Sequence, residues 1–286
     1  ASVGGLPLLG DNERNPWKTT TYGVGELLVD ALKRGARRLI VGLGGSATND
    51  GGVGLLQALG VRFLDREGQP LMGGGEILGE IQQIDTSRLL PEAREAEWIL
   101  VCDVDNPLCG PEGASRVYAP QKGATPEMVE ALERGMAHYA ERLESHSGVR
   151  VAELSGGGAA GGVAAGMVAL LGAKIERGFE WISGQLRLEE RIASADLVLT
   201  GEGRIDEQSL RGKLPFGVAE RARRHQKPCV ALCGSCSPLI RAEEVGFEAI
   251  YVSTPEGMPL EEAMRPEVAR ANLRNAAARL AADLLT

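Results

Sequence analysis

The stretch that decides the fold is residues 38–52, RLIVGLGGSATNDGG. Residues 38–43 are mostly apolar and predict a buried strand. A polar, glycine-rich loop follows at 44–52, and the apolar residues up to Leu59 predict a helix. A strand, a glycine loop and a helix in this order are the start of a βαβ unit, and the N–H groups at the start of such a helix can bind an anion.

The same arrangement recurs further along the chain. Residues 154–162, LSGGGAAGG, form a second glycine loop, and residues 163–171 predict the helix behind it. Thr21 is expected to cap the first helix, and Thr125 to cap a long helix that ends near Gly148. We predict further strands at 61–64, 98–103, 197–200, 229–233 and 249–253, with a helix at 215–223 and another at the end of the chain.

Strands that alternate with helices favour an α/β fold with largely parallel sheets and crossover helices. At 286 residues the chain lies in the range, about 250–300 residues, where a single hydrophobic core usually stops growing. We therefore predict two α/β domains. The first is a central domain with Gly-rich loops at 1–195, and the second is a C-terminal βα region at 196–286.

The composition excludes several classes of protein. A net charge of −8 argues against a nucleic-acid surface, which needs a basic face. The apolar runs are too short and too rich in glycine for a membrane span, which needs about 18 residues or more. Residues 1–9 carry no basic segment typical of a secretory signal, so we expect a cytoplasmic protein without membrane or nucleic-acid partners.

Two alternative sites follow from spacing alone. Cys229, Cys233 and Cys236 have a spacing that iron–sulfur clusters use, but they fall along a predicted strand, and we expect buried thiols instead. Residues 42–47, GLGGSA, fit a dinucleotide-binding pattern, with Asp65 at the expected distance for a ribose contact. This pattern would indicate an NAD-binding oxidoreductase. The loop, however, continues to Asp50 before the helix begins, and this argues against that hypothesis.

Several segments together resemble one known family, the bacterial glycerate kinases of the glycerate 2-kinase type. The segments, in chain order, are TTTYG at 19–23, GGSATNDGG at 44–52, DVDNPL at 103–108, PQKGA at 120–124, GAAGG at 158–162 and TGEGRID at 200–206. The resemblance implies ATP-dependent phosphorylation of glycerate to 2-phosphoglycerate. It also implies that the C-terminal region is part of a discontinuous Rossmann/flavodoxin-like domain, whose N-terminal segment is expected to be missing from this chain.

Phosphoryl transfer needs amide-rich loops, cations, Mg²⁺ and a group that orients the hydroxyl. These requirements indicate the candidate site residues. The catalytic candidates are Asp206, Arg204 and Lys213. Those for substrate and phosphate binding are Gly44, Gly45, Ser46, Thr48, Asn49, Asp50, Gly157, Gly158, Gly161 and Lys122. Those for the magnesium ion are Glu202, Asp103 and Asp105.

The expected ligands are ATP, Mg²⁺ and glycerate. Phosphorylation at the 3-hydroxyl stays open as an alternative, and so does a homodimer. A further hypothesis, from a different class, is a non-catalytic fragment that binds ligand but does not complete an ATP site.

Overall fold

The computed structural model describes residues 3–206 and 214–284, and the chain divides into two units, Ala1–Gly178 and Phe179–Thr286. The sequence-based boundary at 195 stays a prediction. Among the described residues, no helix combines the length and the apolar character that crossing a membrane requires.

The first unit contains a parallel sheet of three strands and a separate antiparallel pair. Its strands are β1 (Arg38–Gly42), β2 (Arg62–Leu64), β3 (Gln83–Asp85), β4 (Glu97–Val101) and β5 (Lys174–Glu176). The parallel sheet has the order β1-β4-β5, and β2 pairs with β3. The predicted α/β class with largely parallel sheets is confirmed. The short strands β3 and β5 were not predicted, because three residues that include charged or polar side chains carry too little pattern.

The helices of the first unit pack around one large core and a smaller cluster that includes Ala119, Val129 and Leu132. They are α1 (Tyr22–Lys33), α2 (Val53–Ala58), α3 (Pro91–Glu95), α4 (Ala114–Tyr118), α5 (Pro126–Ser147) and α6 (Ala159–Leu171). Helix α5 begins as predicted, since Thr125 accepts a hydrogen bond from the Met128 amide, and it ends at Gly148 in a left-handed conformation. Its buried Tyr139 contacts Phe63 edge to face.

Helix α6 begins with three residues in left-handed conformations, Ala160, Gly161 and Gly162. Its right-handed part therefore starts at Val163, where the sequence places it. The left-handed turn brings the second glycine loop, residues 156–162, against the first glycine loop, residues 44–52. The amide of Gly51 donates to the carbonyl of Gly161 at 2.9 Å.

The second unit contains another parallel sheet of three strands, in the order β6-β7-β8. Its elements are α7 (Gly178–Gln185), α8 (Leu188–Ser194), β6 (Val198–Ile205), α9 (Leu214–Arg224), β7 (Cys229–Cys236), β8 (Ala249–Val252), α10 (Leu260–Ala263) and α11 (Pro266–Leu284). Helix α9 packs on β6 and β7 through Val218, Ala219 and Ala222. Leu199 on β6 and Leu273 on α11 are half exposed.

Strand β6 is longer than predicted, because it continues through Ile205 instead of ending at Thr200. The sequence Gly-Glu-Gly-Arg at 201–204 is typical of a loop, yet Gly201, Glu202 and Arg204 pair with β7. Glu202 and Arg204 therefore lie on a strand, and Asp206 follows it directly.

Substituting Gly166 by alanine tests the close packing of α6 on the first glycine loop. Alanine normally stabilises a helix interior by up to about 1 kcal/mol relative to glycine. Here the added Cβ would lie 2.4 Å from the carbonyl oxygen of Gly51. We expect Gly166→Ala to lower the free energy of unfolding by about 1–3 kcal/mol in urea denaturation, because the packed backbone must move.

The matched control is Gly184→Ala near the end of α7, where nothing lies within 4 Å of the added Cβ. This variant should be as stable as the parent chain or more stable. If Gly166→Ala were equally harmless, the close approach of α6 to the first glycine loop would be refuted.

Candidate functional site

The carboxyl ends of β1, β4 and β5 lie at one edge of the first unit's sheet, since the three strands are parallel. In open α/β folds, ligands bind at this edge. The first glycine loop follows β1, Asp103 and Asp105 follow β4, and Arg177 follows β5. The topology thus brings the first glycine loop and two of the predicted metal ligands to a common edge.

The two glycine loops pack backbone to backbone. A Cβ on Gly161 would lie 2.1 Å from the Thr48 carbonyl oxygen, and one on Gly162 would lie 2.9 Å from the Gly51 Cα. Only glycine allows this approach, and Gly161 also has φ of +74°. Each loop therefore stabilises the conformation of the other.

The second glycine loop uses its amides internally. Gly157 donates to the Leu154 carbonyl at 2.8 Å, Gly158 to the Asn106 carbonyl at 3.0 Å and Gly161 to the Gly158 carbonyl at 3.2 Å. The sequence predicted that these three glycines present free N–H groups to a phosphate. These three amides are already paired and the glycines allow close packing, while their role in phosphate binding stays a prediction.

Asp50 lies near the end of the first glycine loop and is completely buried. Its carboxylate accepts hydrogen bonds from the amide and the hydroxyl of Thr21 at 2.7 and 2.8 Å, and from the amides of Gly52 and Gly54 at 3.1 and 3.3 Å. Burial raises the pKa of Asp50, and these hydrogen bonds oppose that shift. The carboxylate is enclosed and its donors are internal, which gives Asp50 a structural role; its role in substrate binding stays a prediction.

Thr21 acts differently from the predicted helix cap. Its hydroxyl makes no capping bond to α1. It donates to Asp50 and accepts from the amide of Leu55, so it joins the start of α1 to α2. Asn49 is also fully buried, and its side-chain amide donates to the Ser115 hydroxyl at 3.1 Å.

Lys122 is the cation of this site, and it is only 3% exposed. Its ammonium donates to the Ser46 hydroxyl at 3.0 Å and to the Thr48 carbonyl at 2.6 Å. Burial lowers the pKa of Lys122 to about 8, and the nearby Asp50 carboxylate partly offsets this effect. The sequence alone gave no sign that this lysine is buried. The structure instead places its charge under the first glycine loop.

The open part of the first glycine loop is residues 44–46. In the described chain, the amides of Gly44, Gly45 and Ser46 donate to no protein acceptor, and both glycines are exposed. Three adjacent free N–H groups above a buried ammonium form a place where an anion is favoured. The binding role of Gly44, Gly45, Ser46, Thr48 and Lys122 stays a prediction, and this geometry is compatible with it.

The two acidic residues after β4 are both exposed and already have partners. Asp105 is bound by the guanidinium of Arg177 at 2.8 and 2.9 Å, and Asp103 accepts from the Gly178 amide at 2.8 Å. The sequence did not single out Arg177, because strand β5 before it was not predicted. No group of three or more His, Cys, Asp or Glu side chains suited to a metal occurs within residues 3–206 and 214–284.

The second unit carries the other predicted residues. Glu202 and Arg204 lie on β6, and the Arg204 guanidinium is 3.5 Å from the Asp206 carboxylate. The side chain of Asp206 is 22% exposed at the carboxyl end of β6. Lys213 lies outside the described residues.

Two of the three cysteines fit the expectation of buried thiols, whereas Cys236 is partly exposed. Cys229 and Cys233 are buried on β7, and burial raises their pKa values to about 11 and about 12. Asp65 accepts from the amides of Glu67 and Gln69 in a tight turn, so its carboxylate has a local role that the dinucleotide pattern did not anticipate.

Comparison with known proteins shows the family of this chain. The model of the glycerate kinase family matches residues 1–285. This chain belongs to the glycerate kinase family. Membership makes it a kinase, in agreement with the resemblance seen in the sequence, and it argues against the NAD-binding oxidoreductase.

Individual relatives agree with this assignment. The chain is 44% identical to a glycerate kinase of Halalkalibacterium halodurans over 93% of this chain and 70% of that protein. It is 42% identical to the glycerate 2-kinase of Escherichia coli K12, over 98% of this chain and 74% of that protein. The crystal structure of a proposed glycerate kinase 2 from Salmonella typhimurium LT2 superimposes with a TM-score of 0.82 at 44% identity, covering 99% of this chain and 75% of that one.

Replacing Lys122 by methionine tests whether its ammonium is buried. With a pKa of about 8 when folded and an ordinary value of 10.5, Lys122 loses its proton earlier in the folded chain than in the unfolded chain. The contribution of Lys122 to the free energy of unfolding therefore rises with pH between about 8 and 10, by about 1.4 kcal/mol per pH unit. Urea denaturation should show the parent chain gaining stability relative to Lys122→Met over this range.

Lys33→Met, at the exposed end of α1, serves as the control and should show a difference that does not change with pH. If the stability difference between the parent chain and Lys122→Met were also independent of pH, Lys122 would titrate as a solvated lysine.

Proposed function

We propose that this chain phosphorylates glycerate on its 2-hydroxyl, with ATP as the phosphoryl donor and Mg²⁺ as the cofactor. One observation carries the proposal: the free amides of Gly44, Gly45 and Ser46 lie beside the buried ammonium of Lys122, in a member of the glycerate kinase family. Phosphoryl transfer depends on positioning and on neutralising charge, which these groups supply.

The first glycine loop is proposed to bind phosphate oxygens. The amides of residues 44–46 have no partner among the described residues, and the loop is fixed at two places, by Asp50 near its end and by Lys122, which donates to Ser46. At pH values below about 8 the lysine stays protonated, so its charge adds to the partial charges of the amides.

Asp206 is proposed to orient the glycerate hydroxyl and accept its proton. It directly follows β6, at the carboxyl end of a parallel sheet, and its side chain is partly exposed. Arg204 suits the carboxylate of glycerate, because a guanidinium can donate two parallel hydrogen bonds. Lys213 is retained as a second cation for the ATP phosphates on the basis of the sequence.

Mg²⁺ needs only one or two carboxylates, since it keeps much of its water shell. Asp103 fits this requirement best in the first unit, because it is exposed and bonded to one backbone amide, whereas Asp105 is held by Arg177. Glu202 on β6 is the candidate in the second unit. When bound with ATP, the ion would neutralise phosphate charge.

The activity is tested by ADP release in the presence of D-glycerate. Adding enolase alone should convert the product to phosphoenolpyruvate, since enolase acts on 2-phosphoglycerate. If phosphoenolpyruvate appears only when a phosphoglycerate mutase is also added, the 3-hydroxyl is the acceptor. If glycerate causes no ADP release, the chain has no such activity, and the alternative of a non-catalytic fragment is favoured.

Asp206→Asn tests the proposed proton acceptor. An asparagine cannot take the proton, so kcat should fall by roughly 10²–10⁴-fold, the usual contribution of a positioned acid or base. ATP binding, measured by calorimetry, should change little.

Asp196→Asn is the matched control, because Asp196 is an exposed carboxylate just before the other end of β6. Its kcat should be unchanged. An Asp206→Asn enzyme with normal kcat would remove Asp206 from the mechanism.

A further inference from the structure

A cavity of about 180 Å³ opens beside the first glycine loop, at the carboxyl end of β1. Most of its wall is apolar and is contributed by Val24, Leu27, Val41, Leu43, Leu55 and Val163. Gly44, Ser46 and Thr48 line its polar side. The cavity therefore combines an apolar wall with the same loop whose amides are free.

Thr48, a residue of the cavity lining, supplies a second observation. The residue is only 2% exposed, and its hydroxyl has no hydrogen-bond partner among the described residues. Leaving a buried hydroxyl unpaired costs about 1–3 kcal/mol. A polar group of a ligand in the cavity would remove this cost.

The apolar character of the wall suits one of the two substrates of the proposed reaction better than the other. Each carbon of glycerate carries oxygen, so glycerate gains little from six aliphatic side chains. A nucleobase has two apolar faces and a polar edge, which matches an aliphatic wall beside one hydroxyl. The volume is below the roughly 300 Å³ of pockets that enclose whole drug-sized ligands, and this favours a part of a ligand over a complete nucleotide.

We propose that this cavity holds the base of the nucleotide, with the phosphates outside it on the amides of residues 44–46. The inference rests on the proposed function and extends it, because it assigns nucleotide binding to the first unit. Thr48 pairs with the polar edge of the base, and Leu27 covers one of its faces.

The test is the affinity of the chain for ATP, adenosine, tripolyphosphate and D-glycerate, measured by calorimetry on the parent chain and two variants. Thr48→Val removes only the unpaired hydroxyl and keeps the shape of the side chain. It should weaken ATP and adenosine binding by about 10-fold, which corresponds to about 1.4 kcal/mol. Stability should be unchanged or higher, because the lost hydroxyl had no partner.

Leu27→Ser replaces one residue of the apolar wall by a polar one. Leu27 is 53% exposed, so the fold should tolerate this substitution. It should weaken ATP and adenosine binding by several fold and leave tripolyphosphate and glycerate binding unchanged. Ser183→Ala removes another buried, unpaired hydroxyl, and Leu260→Ser changes another exposed leucine. Both controls should bind all four ligands as the parent chain does.

Unchanged ATP and adenosine affinity in both variants would overturn the inference, as would an equal loss for tripolyphosphate or a loss for glycerate alone. If the parent chain transfers phosphate to glycerate while the variants bind ATP normally, the base site is wrong and the proposed function stands. If the variants lose ATP affinity but no phosphate reaches glycerate, the base site stands and the proposed function fails.

Discussion

The first unit depends on the buried carboxylate of Asp50. One side chain accepts hydrogen bonds from Thr21, Gly52 and Gly54, and so it ties the start of α1 and the start of α2 to the first glycine loop. All of these neighbours donate, which suits an ionised carboxylate in a closed environment. Because the end of the loop is held in this way, its beginning can display free amides without collapsing onto the sheet.

Glycine provides the second constraint. Residues 48–52 approach residues 161–166 so closely that side chains on Gly161 or Gly166 would overlap the backbone opposite. The many glycines suggested loops that expose amides to ligands. In the structure they divide into two groups: Gly44 and Gly45 are open, whereas those of the second loop and Gly166 are packing positions. The amides of the first group have no partner among the described residues.

Lys122 connects this framework with the chemistry. Its ammonium supports Ser46 from below, and its low pKa reflects the burial that this position requires. A cation held under a loop of free amides gives a lasting positive potential at one end of the parallel sheet. That potential is local, since the chain as a whole carries a net charge of −8.

Much of the fold could be predicted because its signals are local. Apolar strands such as residues 39–41 and the caps of α5 each follow from a few neighbouring residues. The failures involve tertiary contacts. Asp50 in a glycine loop has the same sequence pattern whether it binds a ligand or Thr21, and a lysine gives no local sign that it is buried. Strand β6 was read as a loop at 201–204 because its glycines obscure a pairing that only β7 reveals.

Exchange of Asp50 for asparagine tests most directly whether this carboxylate holds the first unit together. Asparagine keeps the size but presents an NH₂ group to donors, so buried hydrogen bonds are lost, at a cost of about 2–4 kcal/mol. Urea denaturation should therefore show a large loss of stability for Asp50→Asn. Unchanged stability combined with lost glycerate or ATP binding would contradict the structural role and make Asp50 a ligand-binding residue.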